Sequence, residues 1–223
     1  MRKIIIGIAV VVCVSTAHAQ QLRVMLGPVF STYTGRWPST EFALPLGRPT
    51  GLNPFRNMQV ASTQGIGLEF KVHKYLRLEA DVFYGDMGSR FSSSVLFLRE
   101  VYSMSGFGIP VVLKLRPRLK NPVPYVLAGI ELLAITSHTR SSQVASDQIT
   151  YQEFRRDDLG KATRSLDVGP VVGIGIEIPL LGQAFLVEAR YRAGLGNLVD
   201  GYPRSVYDSK IRTLRLLIGY QMK

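Results

Sequence analysis

The sequence predicts an all-β fold: an eight-stranded antiparallel up-and-down transmembrane β-barrel preceded by a cleaved signal peptide. Three observations lead there. Segments of about ten residues alternate between apolar positions and polar or glycine positions, the period of a strand with unlike faces. The links between these segments alternate in length, short then long. An export leader opens the chain, and no later run reaches the roughly 18 apolar residues of a spanning helix.

The leader comprises residues 1–19. Arg2 and Lys3 form a positive start, Ile4 to Val14 an apolar run, and Ala17-His18-Ala19 a small-x-small cleavage pattern, so the mature domain is expected to span residues 20–223. Cys13 follows Val12, which is too large for a lipidation signal. Cleavage removes this single cysteine, so the exported domain cannot rely on disulfides, and barrel closure is the alternative source of stability.

Eight strands follow in order. The first, Leu22 to Tyr33, puts Leu22, Val24, Leu26 and Phe30 on one face. The second, Thr63 to Val72, alternates Ile66, Leu68, Phe70 and Val72 with Gly65, Gly67, Glu69 and Lys71. In the third, Tyr75 to Gly85, Leu76, Leu78, Ala80, Val82 and Tyr84 alternate with Arg77, Glu79, Asp81 and Phe83. The fourth, Tyr102 to Leu115, sets Phe107, Ile109, Val111, Leu113 and Leu115 against Gly106, Gly108, Pro110 and Lys114. The fifth, Pro124 to Ile135, is less regular and carries Glu131 on its minority face. The sixth and seventh form a hairpin around Pro179 to Gln183. Val168, Val172, Ile174, Ile176 and Ile178 line one face of its first arm, opposite Glu177. Phe185, Val187, Ala189, Tyr191, Ala193 and Leu195 line one face of its second arm, opposite Glu188, Arg190 and Arg192. The eighth, Ile211 to Met222, alternates Leu214, Leu216, Ile218 and Tyr220 with residues that include Arg215. Pro110 and Pro170 each remove a ladder donor, so a bulge or local break is expected at each.

The links after the first, third, fifth and seventh strands run to roughly 29, 16, 29 and 12 residues, against short turns after the others. Long loops gathered at one end, with short turns and both termini at the other, form the pattern of a bacterial outer-membrane barrel. Tyr33, Tyr84, Tyr102 and Tyr191 fall near the long-loop end. Phe70, Tyr75, Tyr125, Phe185 and Tyr220 fall near the other, as interfacial aromatic belts would.

If the apolar faces meet lipid, the other faces line a lumen. Its charged set is Glu69, Lys71, Arg77, Glu79, Asp81, Lys114, Glu131, Glu177, Glu188, Arg190, Arg192 and Arg215, six acids and six bases. A balanced set points to a salt-bridged core, because buried charges need partners. A channel would more often carry one dominant sign. Eight strands also leave room only for side chains, and the inward glycines make space for long charged ones.

The formal net charge is +11, with basic residues dispersed over loops and inward faces. That distribution, behind an export leader, argues against nucleic acid and for anionic outer-membrane lipid and lipopolysaccharide as partners. Arg36 and Trp37 in the first long loop, and Arg140, Arg155 and Arg156 in the third, make the candidate contact surface. No catalytic, cofactor-binding or metal-binding set emerges. His73 sits in a turn, and His138 beside Ser137, Ser141 and Ser142 is the lone cluster with nucleophile and base types. Gly173-Ile174-Gly175 belongs to the strand alternation, and no helix follows it.

Several short stretches carry a family resemblance: Ile109-Pro110-Val111-Val112-Leu113-Lys114, Pro124-Tyr125-Val126-Leu127-Ala128-Gly129 and Asp167-Val168-Gly169. Glu188-Ala189-Arg190-Tyr191 runs on into Gly194-Leu195-Gly196-Asn197, and Ile218-Gly219-Tyr220 comes near the end. In order and spacing they resemble the PorT-like family of outer-membrane β-barrel proteins of Bacteroidetes-type bacteria. The resemblance implies an eight-stranded outer-membrane barrel, and a role in type IX secretion for the member that gives the family its name. Such chains commonly end on an aromatic residue, whereas this one ends Tyr220-Gln221-Met222-Lys223. The expected protein is therefore a non-enzymatic outer-membrane barrel, structural or a partner of an envelope or secretion assembly. The alternatives are a small pore, a lipid-modifying barrel enzyme and a soluble periplasmic ligand-binding barrel. Conductance, loss of lipid-modifying activity in His138→Ala, and extraction without detergent would separate them.

Overall fold

Alternation becomes structure at each predicted strand. The computed structural model describes residues 21–36, 58–93, 98–117, 121–145, 151–160, 163–180, 183–198 and 208–222. The expected leader and Trp37 lie outside these residues. Among the described residues nine strands form: β1 (Gln21–Arg36), β2 (Gln59–Lys71), β3 (Leu76–Ser93), β4 (Leu98–Leu115), β5 (Val123–Ala145), β6 (Tyr151–Asp158), β7 (Leu166–Leu180), β8 (Gln183–Ala193) and β9 (Asp208–Met222). Eight of them close a ring in the order β1–β2–β3–β4–β5–β7–β8–β9, each antiparallel to the next, and β9 pairs back onto β1 from Leu22↔Met222 to Arg36↔Asp208. β6 stands outside the ring, paired with the far part of β5 from Thr139↔Asp158 to Ala145↔Tyr151.

The faces follow the sequence period. Leu22, Val24, Ile66, Val111, Leu113, Val126, Ile130, Val172, Ile174, Val187 and Ile218 point outward and are exposed, Ile130 at 62% and Ile174 at 64%. Arg23, Glu69, Glu79, Asp81, Lys114, Glu131, Arg190 and Arg192 point inward and are buried. A soluble protein hides its aliphatic side chains and exposes its charges. This inversion suits a wall facing hydrocarbon.

Several strands run further than expected at the long-loop end. β3 and β4 continue to Ser93 and Leu98, leaving residues 94–97 where a link of about 16 residues was expected. β5 continues to Ala145 and with β6 fills much of the third long loop. Beyond Tyr84 and Phe107 the outward positions are Asp86, Ser103, Ser105 and Thr136. Outside the apolar band both faces of a strand can be polar, so pairing continues while the hydrophobic alternation vanishes.

A register shift between Ser105 and Gly106 places an extra residue, Thr136, in β5 opposite β4. One extra residue exchanges the faces. Below it Tyr125, Leu127, Glu131 and Leu133 are buried, and above it His138 and Ser142 are. The prolines cause no shift of their own. At Pro110 the β3–β4 pairing lapses opposite Asp81 and Val82 and resumes in the same register. Pro170 stays paired with Ile130, and the β7–β8 ladder starts at the next residue, Val171. Pro28 interrupts the β1–β9 ladder in the same way, between Leu26↔Ile218 and Val29↔Arg215.

Candidate functional site

The inward charges converge because the registers stack them. β1, β3 and β8 bring Arg23, Asp81 and Arg190 to one level. Arg23 reaches Glu79 and Asp81, each at 2.6 Å. Arg190 spans Asp81 at 2.6 Å and Glu79 at 3.2 Å, and its Nε donates to Glu188 on its own strand. Two guanidinium groups thus share two carboxylates, and their planar forks suit such bidentate bonding. Lys114 joins Glu79 at 3.1 Å to Glu69 at 3.0 Å. Arg77 closes on Glu69 and donates to Gln21 at 3.0 Å. Tyr125 donates to Glu188 at 2.8 Å, and the Lys114 ammonium lies 3.9 Å from the centre of its ring.

A second knot lies nearer the long-loop end. Arg215 clamps Glu131 with both terminal nitrogens, at 2.5 and 2.7 Å. Arg192 approaches Glu131 at 3.5 Å and Asp167 at 2.6 Å, while Asp167 accepts the Gly196 N–H at 2.7 Å. Phe83 lies between the knots, its ring centre 5.4 Å from Arg190 and 5.2 Å from Arg215. At the short-turn rim Arg116 meets Glu177 at 2.8 Å.

Glycines make this packing possible. A Cβ on Gly67 would stand 1.7 Å from Asp81 Oδ1, and one on Gly175 would stand 2.4 Å from the Tyr125 ring. The void beside Phe83, Met87 and Arg215 measures about 10 Å³, the scale of a single water.

An apolar cluster covers the knots at the long-loop end: Val29, Tyr33, Met87, Tyr102, Met104, Leu133, Leu198 and Ile211. His138 is set into it. Thr163 Oγ donates to the Leu159 carbonyl, so it accepts from His138 Nδ1–H at 2.6 Å, and Tyr33 O–H donates to the bare Nε2 at 3.2 Å. His138 stands beyond the bulge, outside the apolar band, and burial lowers its pKa from 6.5 to about 4 despite the opposing pull of Asp158. The sign is that of a buried neutral histidine. Below pH 6.5 the unfolded chain takes a proton that the folded chain refuses until about pH 4. Stability is therefore full above 6.5 and falls toward 4, by at most about 1.4 kcal/mol per pH unit. Urea midpoints across this window should fall for the native chain and fall less steeply for His138→Gln.

Among the expected lumen residues, Glu69, Glu79, Asp81, Lys114, Glu131, Glu177, Glu188, Arg190, Arg192 and Arg215 are buried inside, and Arg77 is partly so. Lys71 is a correction. It shares their parity but ends β2 at the rim, where it is exposed. Arg23 and Asp167 were missed, although each alternates with outward residues, Leu22 and Val24 or Leu166 and Val168. The aromatic belts also need correcting. Tyr84, Tyr191, Phe185 and Tyr220 face outward, but Tyr33, Tyr102 and Tyr125 are buried within the barrel. The serine cluster separates as well: Ser137 is exposed, and β5 turns it away from buried His138. Among the described residues no three or more His, Cys, Asp or Glu side chains are arranged to hold a metal.

For the contact surface, β5 and β6 bring Arg140, Arg155 and Arg156 onto one hairpin, with Arg140 opposite Asp157 and Arg156 opposite Ser141. Arg156 is exposed and Arg140 half-buried. Arg36 ends β1 opposite Asp208, on the other side of the ring.

Residues 55–200 match the family model described as outer membrane protein beta-barrel domain. Among solved structures, the outer membrane protein OprG from Pseudomonas aeruginosa aligns at 10% identity and TM-score 0.52, covering 92% of this chain and 97% of that one. Neisserial surface protein A aligns at 12% identity and TM-score 0.46, covering 91% and 96%. Ail, the attachment invasion locus protein of Yersinia pestis, aligns at 14% and 0.41, covering 91% and 98%. No curated protein matches.

Proposed function

The chain belongs to the outer membrane protein beta-barrel domain family, and we propose that its function is non-enzymatic and non-conducting. The barrel is a rigid stave in the outer membrane that presents its projecting strands to lipopolysaccharide and to a protein partner. The observation that carries this reading is the interior. Carboxylates from β2, β3, β5, β7 and β8 are matched by cations from β1, β3, β4, β8 and β9. Charges neutralised in pairs favour cohesion over passage of an ion.

The projecting end supports the rest. β3, β4 and the β5–β6 hairpin rise beyond the apolar band and carry Arg140, Arg155 and Arg156. Such a surface suits phosphorylated sugar on one side and an envelope protein on the other. The type IX secretion assembly implied by the PorT-like resemblance is one such partner.

Two measurements test this. Purified barrel in planar bilayers should give a flat current trace, and reproducible single-channel steps would sink the closed-core reading. In cells, a photo-crosslinker at Arg156 should capture lipopolysaccharide or a discrete envelope protein. Capture at an outward lipid-band position such as Ile174, but not at Arg156, would refute the assigned docking end.

A further inference from the structure

The outer wall is not uniformly bulky. Two rows of cross-strand neighbours border a groove that runs obliquely over β4, β5, β7 and β8. The lower row runs from Leu76 through Leu115, Val126 and Ile174 to Ala189, and the upper from Leu113 through Ala128, Val172 and Tyr191 to Leu214. Small residues hollow it: Ala128 and Ala189 on the wall and Gly173 on the floor. Its volume is about 660 Å³, within the range of small-molecule sites, and its lining is almost wholly aliphatic.

One end of the groove, at Leu76, abuts a short turn that carries a cation. Leu76 begins β3 directly after the short turn that carries exposed Lys74. The turn is fixed. His73 N–H donates to the Leu76 carbonyl, and Arg116 N–H donates to the Tyr75 carbonyl, each at 2.9 Å. The Lys74 ammonium sits 5.0 Å from the centre of the Tyr75 ring. In this family's architecture the short turns face the periplasm, at the headgroup level of the inner leaflet.

We propose that the groove is a binding site for one anionic glycerophospholipid of the periplasmic leaflet. An acyl chain would lie between the two rows and the phosphate would rest on Lys74. Charge complementarity selects the headgroup, and the alanines admit the chain.

The test is native mass spectrometry of the folded full-length barrel in neutral detergent, offered phosphatidylglycerol or phosphatidylcholine with identical chains. Phosphatidylglycerol should be retained about fivefold better, the effect of one lysine at a headgroup. Lys74→Gln should equalise the two lipids. Ala128→Leu with Ala189→Leu should strip both, provided the heat-dependent gel shift shows that the variant has folded. Glycerol phosphate, a headgroup without chains, should not compete. Equal retention of the two lipids by the native chain overturns the proposal, as do undiminished adducts on the filled groove. Should the double variant fail to fold, the Lys74→Gln comparison decides alone, because that residue is exposed on a turn.

Discussion

Arg190→Met should lower the unfolding free energy by about 3–5 kcal/mol, the range for breaking a buried ion pair by removing one partner. Arg190 is 1% exposed and holds Asp81, Glu79 and Glu188 together. Methionine fills much of its volume but leaves three carboxylates with fewer cations. Arg23 still reaches Glu79 and Asp81, while Glu188 keeps only the Tyr125 hydroxyl among the contacts described above. The expected signature is a lower urea midpoint in lipid vesicles. The contrasting variant removes a matched pair. Glu131→Leu with Arg215→Met deletes a bidentate clamp and should cost much less than either single change, since well-packed apolar replacements of buried pairs are often neutral. An Arg190→Met chain as stable as the native one would mean that the knot is decoration on a barrel held by its ladders alone.

This knot also marks how far sequence reasoning reaches. That Arg190, Glu188 and Arg192 share a face is legible from alternation alone, because a strand's side-chain period is two. That Arg190 meets Asp81, 109 residues earlier, depends on register around the whole ring, and periodicity carries no register between distant strands. Arg23 could have been assigned by the same parity, since Leu22 and Val24 flank it. Lys71 shows where parity fails: at a strand's last residue there is no further wall to enclose the side chain. His138 shows a different limit. The stretch Ser137-His138-Thr139-Arg140-Ser141 is polar at every position, as loops are, so nothing in it distinguishes a strand that has left the hydrocarbon. The extra residue at Thr136 also exchanges inside and outside without leaving a mark in composition. The proline effects, by contrast, follow directly from a missing N–H: pairing lapses at Pro110 and Pro28 while register holds.

Ile174→Arg should destabilise the barrel by about 2–4 kcal/mol in a bilayer, the cost of a cation at mid-depth on a lipid-facing wall. Ile174 is 64% exposed in the isolated chain. In a water-soluble barrel such a site tolerates arginine to within about 0.5 kcal/mol, because nothing packs on it. The same substitution thus separates two readings of one alternation. Depth gives a second axis. Leu180→Arg, at the short-turn end of the same face, should cost about 1 kcal/mol or less, because headgroups and water lie within reach. The gradient is the discriminating quantity: Ile174→Arg should shift the urea midpoint more than Leu180→Arg in vesicles. Repeating both in short-chain detergent should compress the difference, since a micelle supplies water closer to the wall. Equal, small shifts at both positions in vesicles would show that the outward aliphatic face does not meet hydrocarbon. A large shift at Ile174 alone requires that it does, and then the buried charges within have no solvent to fall back on and must hold one another.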